Sequence, residues 1–592
     1  MRKIDPYLAL VLILFVISLA IKLYAAQDLI WDYDVVPVIG RGMAFFESGT
    51  FPAYGTLSSI GVFNMPGLVW MQMPVMVFSK DIPTILIVTQ LFWNLIGTLA
   101  IFRLGRRLFN PTAAVIAAAV WTFSEFSITG SFTAWAQLHL PTFTALLLLF
   151  LYEWYETKSA QYLALAIITA SGAFMIHFSA IMFYPLIFVF WLLIRPPLKI
   201  KGLLVGGFVS LILLSPYLSF QIEREFQDLK GFVSNKSQLS GAIMESVQHL
   251  KPEAQLDLTT ETFTETPVVE APAPATTETR ILRRLSALGQ HIINLPLFIL
   301  QGFITFLKPG SVVLEKHLGL LGWLFGLIQS VLLLILYAGM GWGFYQFLKQ
   351  SRLNWATQET GKRARLLQRF TFWQRQLSQT ENGKIVSLSL LGISYIVMLW
   401  LLKITPQTQS TYFIGLSAFV AVLLGVFLEK LRRKLPFQTR IQNQILVGVV
   451  VVMAVIGSAE PLTRIAFRDE MAMEPFNIWR YERIESVMAW IAADTEKSQI
   501  RISYDLLKDI PHFWWVAAFH AIDPAYRTGM AHDYLLKQHF QIMNENQSGD
   551  GLSENPDYIV VLASGMKRYQ AAEYEIHEDG IYRILKPKPS DD

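Results

Sequence analysis

The chain alternates long apolar runs with short polar connections for its first 460 residues and then changes character. Apolar runs cover residues 7 to 23, 82 to 102, 111 to 130, 139 to 154, 161 to 177, 179 to 194, 203 to 220, 318 to 347, 385 to 402, 412 to 429 and 443 to 459. Each approaches the roughly 20 residues that a helix needs to cross the ~30 Å hydrocarbon core of a bilayer, which predicts about eleven crossings. The connecting charges test that count. Arg103, Arg106 and Arg107, then Lys158, then Arg195, Lys199 and Lys201, then the stretches 352 to 384 and 430 to 440 all fall on the side of Met1. Short loops rich in Lys and Arg stay cytoplasmic, so one alternating path satisfies every loop. It puts the segments 26 to 81, 131 to 138, 221 to 317 and 403 to 411, and the tail from Glu460, outside.

Several stretches break the pattern. Residues 65 to 80 are apolar but carry Pro66 and Pro74, and are too short to cross and return; they should lie in the interface or begin the second span, and 290 to 307 reads the same way. Lys251 to Arg280 is rich in Thr, Glu, Pro and Ala and should be a disordered spacer. From Glu460 the apolar residues fall into short runs, at Ile500 to Tyr504, Asp557 to Ala563 and Tyr574 to Leu585, with helical patterns at Tyr481 to Ala493 and Ala531 to Phe540 between them. The domain division that follows is 1 to 459 for the membrane domain and 460 to 592 for a small α/β domain outside. Met1-Arg2-Lys3 before the first apolar run reads as an uncleaved signal anchor; a cleaved signal peptide ending near Tyr24-Ala25-Ala26 is the competing reading, against which the span is long for an h-region.

Composition agrees with this reading. Of 592 residues 53% are hydrophobic and 16% charged, with mean hydropathy +0.41, outside soluble-globular usage. The net charge of +4 decides little, because placement of Lys and Arg matters more than their sum. There is no cysteine, which excludes disulfides, thiolate metal sites and Cys nucleophiles. No phosphate-cradling GxxxxGKS/T loop and no HExxH occurs, and Gly339-Met340-Gly341-Trp342-Gly343 lies inside an apolar run, where it reads as helix packing.

The chemistry-bearing residues gather in the outer connections. Asp32 and Asp34 sit within about ten residues of a predicted bilayer boundary; in an extended segment both would point the same way. Asp32 is also placed to cap a short helix from Val35 to Glu47. The turn from Ser131 to His139 offers the Trp135 indole, the Gln137 amide and the His139 imidazole, although a Trp at that depth is also what an interfacial belt supplies. His177 lies near the outer end of its span, where an ionisable group faces a bundle interior or a wet cavity. Lys403 and Tyr412 flank a short outer turn at headgroup depth, where a cation either holds a lipid phosphate or snorkels. The histidines lack ligand spacing, so any metal would be a divalent ion shared by the two loop carboxylates.

The order Asp34, then Phe51-Pro52-Ala53-Tyr54-Gly55, Ser58-Ser59-Ile60-Gly61 and Met65-Pro66-Gly67 resembles the first exterior loop of the C-type (GT-C) membrane glycosyltransferases, the relatives of protein O-mannosyltransferases and of the lipid A aminoarabinose transferase. The turn Ser131 to Pro141, His177-Phe178-Ser179 and Tyr412-Phe413 are similar to later motifs of the same family. The resemblance implies an inverting transfer of a sugar from a polyprenyl-phosphate carrier to a lipid, glycan or protein acceptor at the outer face of a prokaryotic plasma membrane, with Asp34 in the catalytic position. In the second loop, Gln137 or His139 stands where relatives often carry an acid.

Together these readings predict an all-α polytopic membrane protein with a small C-terminal α/β domain. Its catalytic carboxylate is expected to be Asp34, assisted by Asp32, with Trp135, Gln137, His139, His177, Lys403 and Tyr412 binding substrate. Two other functions fit the apolar pattern: a flippase for lipid-linked saccharides, and a non-catalytic scaffold that displays the C-terminal domain.

Overall fold

The computed structural model describes residues 5–32, 34–56, 62–226, 299, 312–356, 365–401, 410–467, 480–495, 499–505, 541–542, 556–579 and 581–588. The helices begin where the sequence satisfies their first amides. Helix α1 (Pro6–Ala25) starts after Asp5, whose carboxylate accepts the Tyr7 N–H. Helix α2 (Val35–Ser48) ends at Gly49, in the left-handed conformation that glycine adopts without strain. Helix α3 (Gly67–Met76) is a separate short helix containing Pro74, so the 65 to 80 stretch lies beside the second span rather than within it. Helix α4 (Ile82–Leu108) is capped by Asp81, and α5 (Pro111–Thr122) by Asn110, each followed by a proline in the first turn, where a missing N–H costs nothing.

The predicted span 111 to 130 divides at Ser124 into α5 and the short α6 (Glu125–Thr129). Then come α7 (Leu140–Thr157), α8 (Ala160–Ile176), α9 (Phe183–Ile194) and α10 (Ile200–Glu223). Beyond the undescribed 227–298 and 300–311 follow α11 (Val312–Leu318), α12 (Leu320–Ala356), α13 (Arg365–Gln379), α14 (Glu381–Leu401), α15 (Ser417–Lys434) and α16 (Thr439–Ala466). Among the described residues, seven helices are long and apolar enough to cross a membrane, and three shorter apolar helices pack among them. Leu204, Phe208 and Leu211 stand exposed on α10, as a lipid-facing surface requires. The chain is an integral membrane protein.

The bundle is held by close backbones and by hydroxyls that bond across helices. The alanines at 113, 114 and 117 to 119 are buried where α5 meets α1 and α15. Hydroxyl pairs join Thr98 to Thr122, Tyr152 to Ser387 and Ser171 to Ser210, each at 2.6 Å. In the Gly339 to Gly343 run, a Cβ on Gly339 would sit 2.5 Å from the Phe427 ring, so this glycine serves helix contact.

One end of the bundle collects the basic residues. Glu153 on α7 accepts from Arg103 Nε at 3.0 Å and Nη2 at 2.9 Å, and from Arg107 Nε at 3.1 Å. Glu429 on α15 pairs with Arg432 and Arg433, Lys430 reaches Glu381, and Arg106 pairs with Asp5. These pairs tie the start of α1 to the ends of α4 and α7, and the end of α15 to the start of α14.

At the opposite end lies the α/β domain. Helix α17 (Tyr481–Asp494) packs with strands β1 (Gln499–Ile500), β2 (Ile502–Asp505), β3 (Gln541–Ile542), β4 (Tyr558–Leu562), β5 (Tyr574–Asp579) and β6 (Tyr582–Pro587). Four strands form one sheet in the order β2-β4-β6-β5, parallel between β2 and β4 and antiparallel elsewhere; β1 and β3 pair separately. Each expected short apolar run is a strand or a hairpin. Ile484, Val487, Met488 and Ile491 of α17 bury against Ile502, Tyr504, Val560 and Ile584. Helix α16 continues to Ala466, past the predicted end of its apolar run at 459. The Lys251 to Arg280 spacer, most of 290 to 307, and the helical pattern at 531 to 540 lie outside the described residues.

Candidate functional site

The site is built on the segment between α1 and α2. Asp32 begins α2: its backbone carbonyl accepts from Val36 N at 3.0 Å, and its Oδ1 accepts from the backbone N–H of Asp34 at 3.0 Å and of Val35 at 3.2 Å. This is helix capping by a short acidic side chain. The segment is therefore not extended at Asp34, which has φ −85° and ψ −31°, and the strand-like alternation that would aim both carboxylates one way does not apply. The two acids take different roles: Asp32 is spent on the backbone, while no described side chain bonds the Asp34 carboxylate.

Asp34 is partly buried at the start of α2, beside fully buried Val35. Burial first, and then the neighbouring charge of Asp32, push its carboxyl up to about 7. Asp32 is also raised by burial, against which the Trp135 indole and the backbone N–H groups of Asp34 and Val35 act in the other direction. A carboxyl near 7 exchanges its proton readily at neutral pH.

The second connection bridges two parts of the bundle. Trp135 Nε1 donates to Asp32 Oδ2 at 2.8 Å, so the indole has a polar partner beyond a role in an aromatic belt. Two residues on, Gln137 meets His177 Nε2 at 3.4 Å. The Gln137 atom at that distance is the amide Nε2. His177 Nδ1 accepts the backbone N–H of Ser179 at 3.1 Å and lies 2.9 Å from the Ser179 hydroxyl. His139 is set apart. It is buried, its Nε2 has no hydrogen-bond partner among the described residues, and it faces a small enclosed space lined by Gln90, Asn94 and Thr142 inside the bundle. Lys403 lies outside the described residues, and Tyr412 falls in the 3-10 turn Ser410–Leu416 that leads into α15.

The other described parts of the first loop are pinned to α8 and α10. Gly67 has no room for a side chain, because a Cβ there would lie 2.6 Å from the Met175 backbone. Tyr217 donates its hydroxyl to Phe63 O at 2.8 Å, and Tyr54 stacks on Phe220 at 4.3 Å while the Arg41 guanidinium covers its other neighbourhood at 4.5 Å. A cleft of about 410 Å³ opens there, lined by Arg41, Phe51, Tyr54, Phe220 and Glu223. Sequence reasoning also missed Asp28 and Arg480, a buried ion pair at 3.0 Å that joins the end of the first span to the C-terminal domain. A lone acid at a helix end gave no signal of a partner so far along the chain.

The residues do not fit a divalent ion held by both loop acids. Both Asp32 oxygens already accept hydrogen bonds, and among the described residues no third His, Asp or Glu joins them in a ligand group.

Residues 65–220 match the profile of the dolichyl-phosphate-mannose-protein mannosyltransferase family. Over the whole fold, the chain is similar to ArnT from Cupriavidus metallidurans bound to undecaprenyl phosphate, with TM-score 0.54 and 10% identity across 98% of both chains. The apo state of that protein gives the same values. The archaeal oligosaccharyltransferase AglB from Archaeoglobus fulgidus, in complex with an inhibitory peptide and a dolichol-phosphate, matches with TM-score 0.45 and 12% identity, over 100% of this chain and 75% of AglB. No curated protein sequence matches the chain. The family profile over residues 65–220 and the ArnT-like fold agree with the GT-C resemblance.

Proposed function

We propose that the protein is an inverting glycosyltransferase that moves a sugar from a polyprenyl-phosphate carrier to a hydroxyl acceptor at the outer face of the membrane, with Asp34 as general base. The observation that carries this reading is the Asp34 carboxyl: partly buried, without a described side-chain partner, and raised to about 7 by burial and by the charge of Asp32. That is the range in which a general base works best near neutral pH. The acceptor oxygen attacks the anomeric carbon, the bond to the carrier phosphate breaks with its electron pair leaving on the phosphate, and the acceptor proton passes to Asp34. Asp32 fixes the start of α2. Gln137 and His177 are proposed to bind the sugar, and Lys403 and Tyr412 the carrier phosphate, where cationic and hydroxyl donors offset charge on the leaving group.

The likeness to the fold of ArnT, seen bound to undecaprenyl phosphate, supports a lipid-phosphate donor here. The basic end of the bundle supports a cytoplasmic N-terminus, which sets Asp34 and the C-terminal domain outside, in a prokaryotic plasma membrane. Residues 1 to 459 are proposed to form the transferase domain and 460 to 592 the exterior one.

The test is transfer of labelled sugar from a panel of polyprenyl-phosphate sugars to a membrane glycolipid extract by the purified chain and by Asp34→Asn. The substitution keeps shape and removes the proton acceptor, so turnover should fall by about 10²- to 10⁴-fold with donor binding retained. Transfer by D34N at the parent rate would overturn the mechanism.

A further inference from the structure

We propose that the C-terminal domain is a working part of the transfer site: Arg480 is a positioning residue that, through Asp28, fixes the segment leading to Asp34. This rests on the reading of Asp34 as the base.

Four contacts join the domain to that segment. Arg480 Nη2 lies 3.0 Å from Asp28 Oδ1, with the two side chains 3% and 9% exposed. Tyr481 N donates to Leu29 O at 2.8 Å. Ile30 and Arg480 form an antiparallel bridge. The fully buried Trp31 meets Tyr481 edge to face, with ring centroids 5.9 Å apart. From the other side, Ile30 N donates to Phe132 O at 3.1 Å, and Trp135 then holds Asp32. The segment between α1 and α2 is thus gripped by the second connection and by the C-terminal domain together, and the two grips end two residues before Asp34. Ile30, Trp31, Val35 and Ile39 share one apolar core with Ile484, Val487 and Met488 of α17.

The chemistry of the grip points to register. A main-chain bridge tolerates a slip of one residue, and such a slip would turn every side chain to the opposite face. A buried ion pair does not tolerate it, because a slip strands a charge in an apolar surrounding. Buried pairs contribute little net stability against an apolar replacement, and their best-attested use is to specify one arrangement. Here that arrangement places the cap of α2, and so the direction of Asp34. A misplacement near 1 Å from a change remote from the chemistry can cost on the order of 10²-fold in rate.

The experiment uses the full chain in lipid nanodiscs, with Arg480→Met, Arg480→Lys and Asp28→Asn, and reads two quantities. The first is amide hydrogen exchange of residues 29 to 36, which needs no substrate. The second is the rate and pH profile of sugar transfer beside the binding of undecaprenyl phosphate as probe. Arg480→Met should release the 29 to 36 amides to exchange, lower turnover on the order of 10- to 100-fold, and displace the rising limb of the pH profile, with probe binding unchanged. Arg480→Lys should restore part of the rate. Should R480M fail to fold, Asp28→Asn reads the same two quantities with the cation retained. Parent-like exchange of the segment in a folded variant overturns the proposal, as does a parent-like rate and pH limb. If the unmodified chain transfers no sugar from any donor, the glycosyltransferase reading fails by itself, and the exchange measurement still decides whether Arg480 sets the segment.

Discussion

The Trp135 indole and the Asp32 carboxylate, 103 positions apart, are joined by a 2.8 Å hydrogen bond from Nε1 to Oδ2. This bond ties the second connection to the cap of α2. Trp135→Phe keeps the ring and removes the donor, so one carboxylate oxygen loses its partner. Hydrogen bonds to charged groups contribute about 1.5–3 kcal/mol, and because Asp32 is only partly buried, water will recover some of that. Thermal unfolding in nanodiscs should show a loss toward the lower end of this range, with a fall in transfer larger than the fall in donor binding. A variant as stable and active as the parent would leave Trp135 a boundary aromatic only.

The pH dependence follows from Asp34. Its carboxyl is raised from an ordinary 3.8 to about 7, by burial first and by Asp32 second. On the proposed mechanism Asp34 must be ionised to accept a proton, so transfer should rise about tenfold per pH unit below that value and level off above it. A rate independent of pH between about 5 and 8 would exclude Asp34 as the titrating base.

Stability should run the opposite way. An acid whose folded value is raised binds its proton more tightly in the folded chain, so across the window from 3.8 to about 7 the unfolded state carries fewer protons and stability falls as pH rises. D34N removes that loss. It should melt higher than the parent at about pH 8 and no higher at about pH 4, a gain in stability alongside the loss of turnover. Equal melting at both pH values would show that the carboxylate is not strained by its surroundings.

At the basic end, Glu153 is 2% exposed and accepts from Arg103 and Arg107, whose side chains are about half exposed. Glu153→Gln removes the charge both arginines meet. Because the arginines keep much of their water, the loss should be on the order of 1–3 kcal/mol, below the ~3–5 of a fully buried pair. Unfolding should be measured at two ionic strengths, with transfer by the surviving folded fraction unchanged. A selective loss of transfer would place this end in the reaction.

The orientation has its own test. A reporter active only in the cytoplasm, fused after Asp592, should be inactive, because the basic loops all share the side of Met1. Strong activity there would mean an odd number of miscounted crossings.

The helices were legible because lipid demands long apolar runs and because charge retention sorts the loops, so the spans from residue 82 through 459 appear close to where periodicity places them. The start of α2 was legible as well, since Asp32 before an apolar run is a local capping signal. What the sequence did not disclose are contacts between single polar residues in distant segments. Nothing local marks Trp135 as the donor to Asp32, or Arg480 as the partner of Asp28. His139 shows the same limit from the other side: it follows Gln137 by two residues, yet the rotation of the turn sends one toward His177 and the other into the bundle. The direction of a side chain at a helix end is a tertiary matter that spacing along the chain does not fix.

The pairing of Asp28 with Arg480 also orders events in time. About 450 residues separate the partners, and at synthesis rates of ~5–20 residues per second the first loop waits roughly 20 to 90 s for its counterpart to be made. Until then the segment leading to Asp34 lacks the Arg480 contact. On the proposed reading of Asp34 as the base, a truncated or stalled product that lacks Arg480 should transfer lipid-linked sugar on the order of 10- to 100-fold more slowly than the full chain.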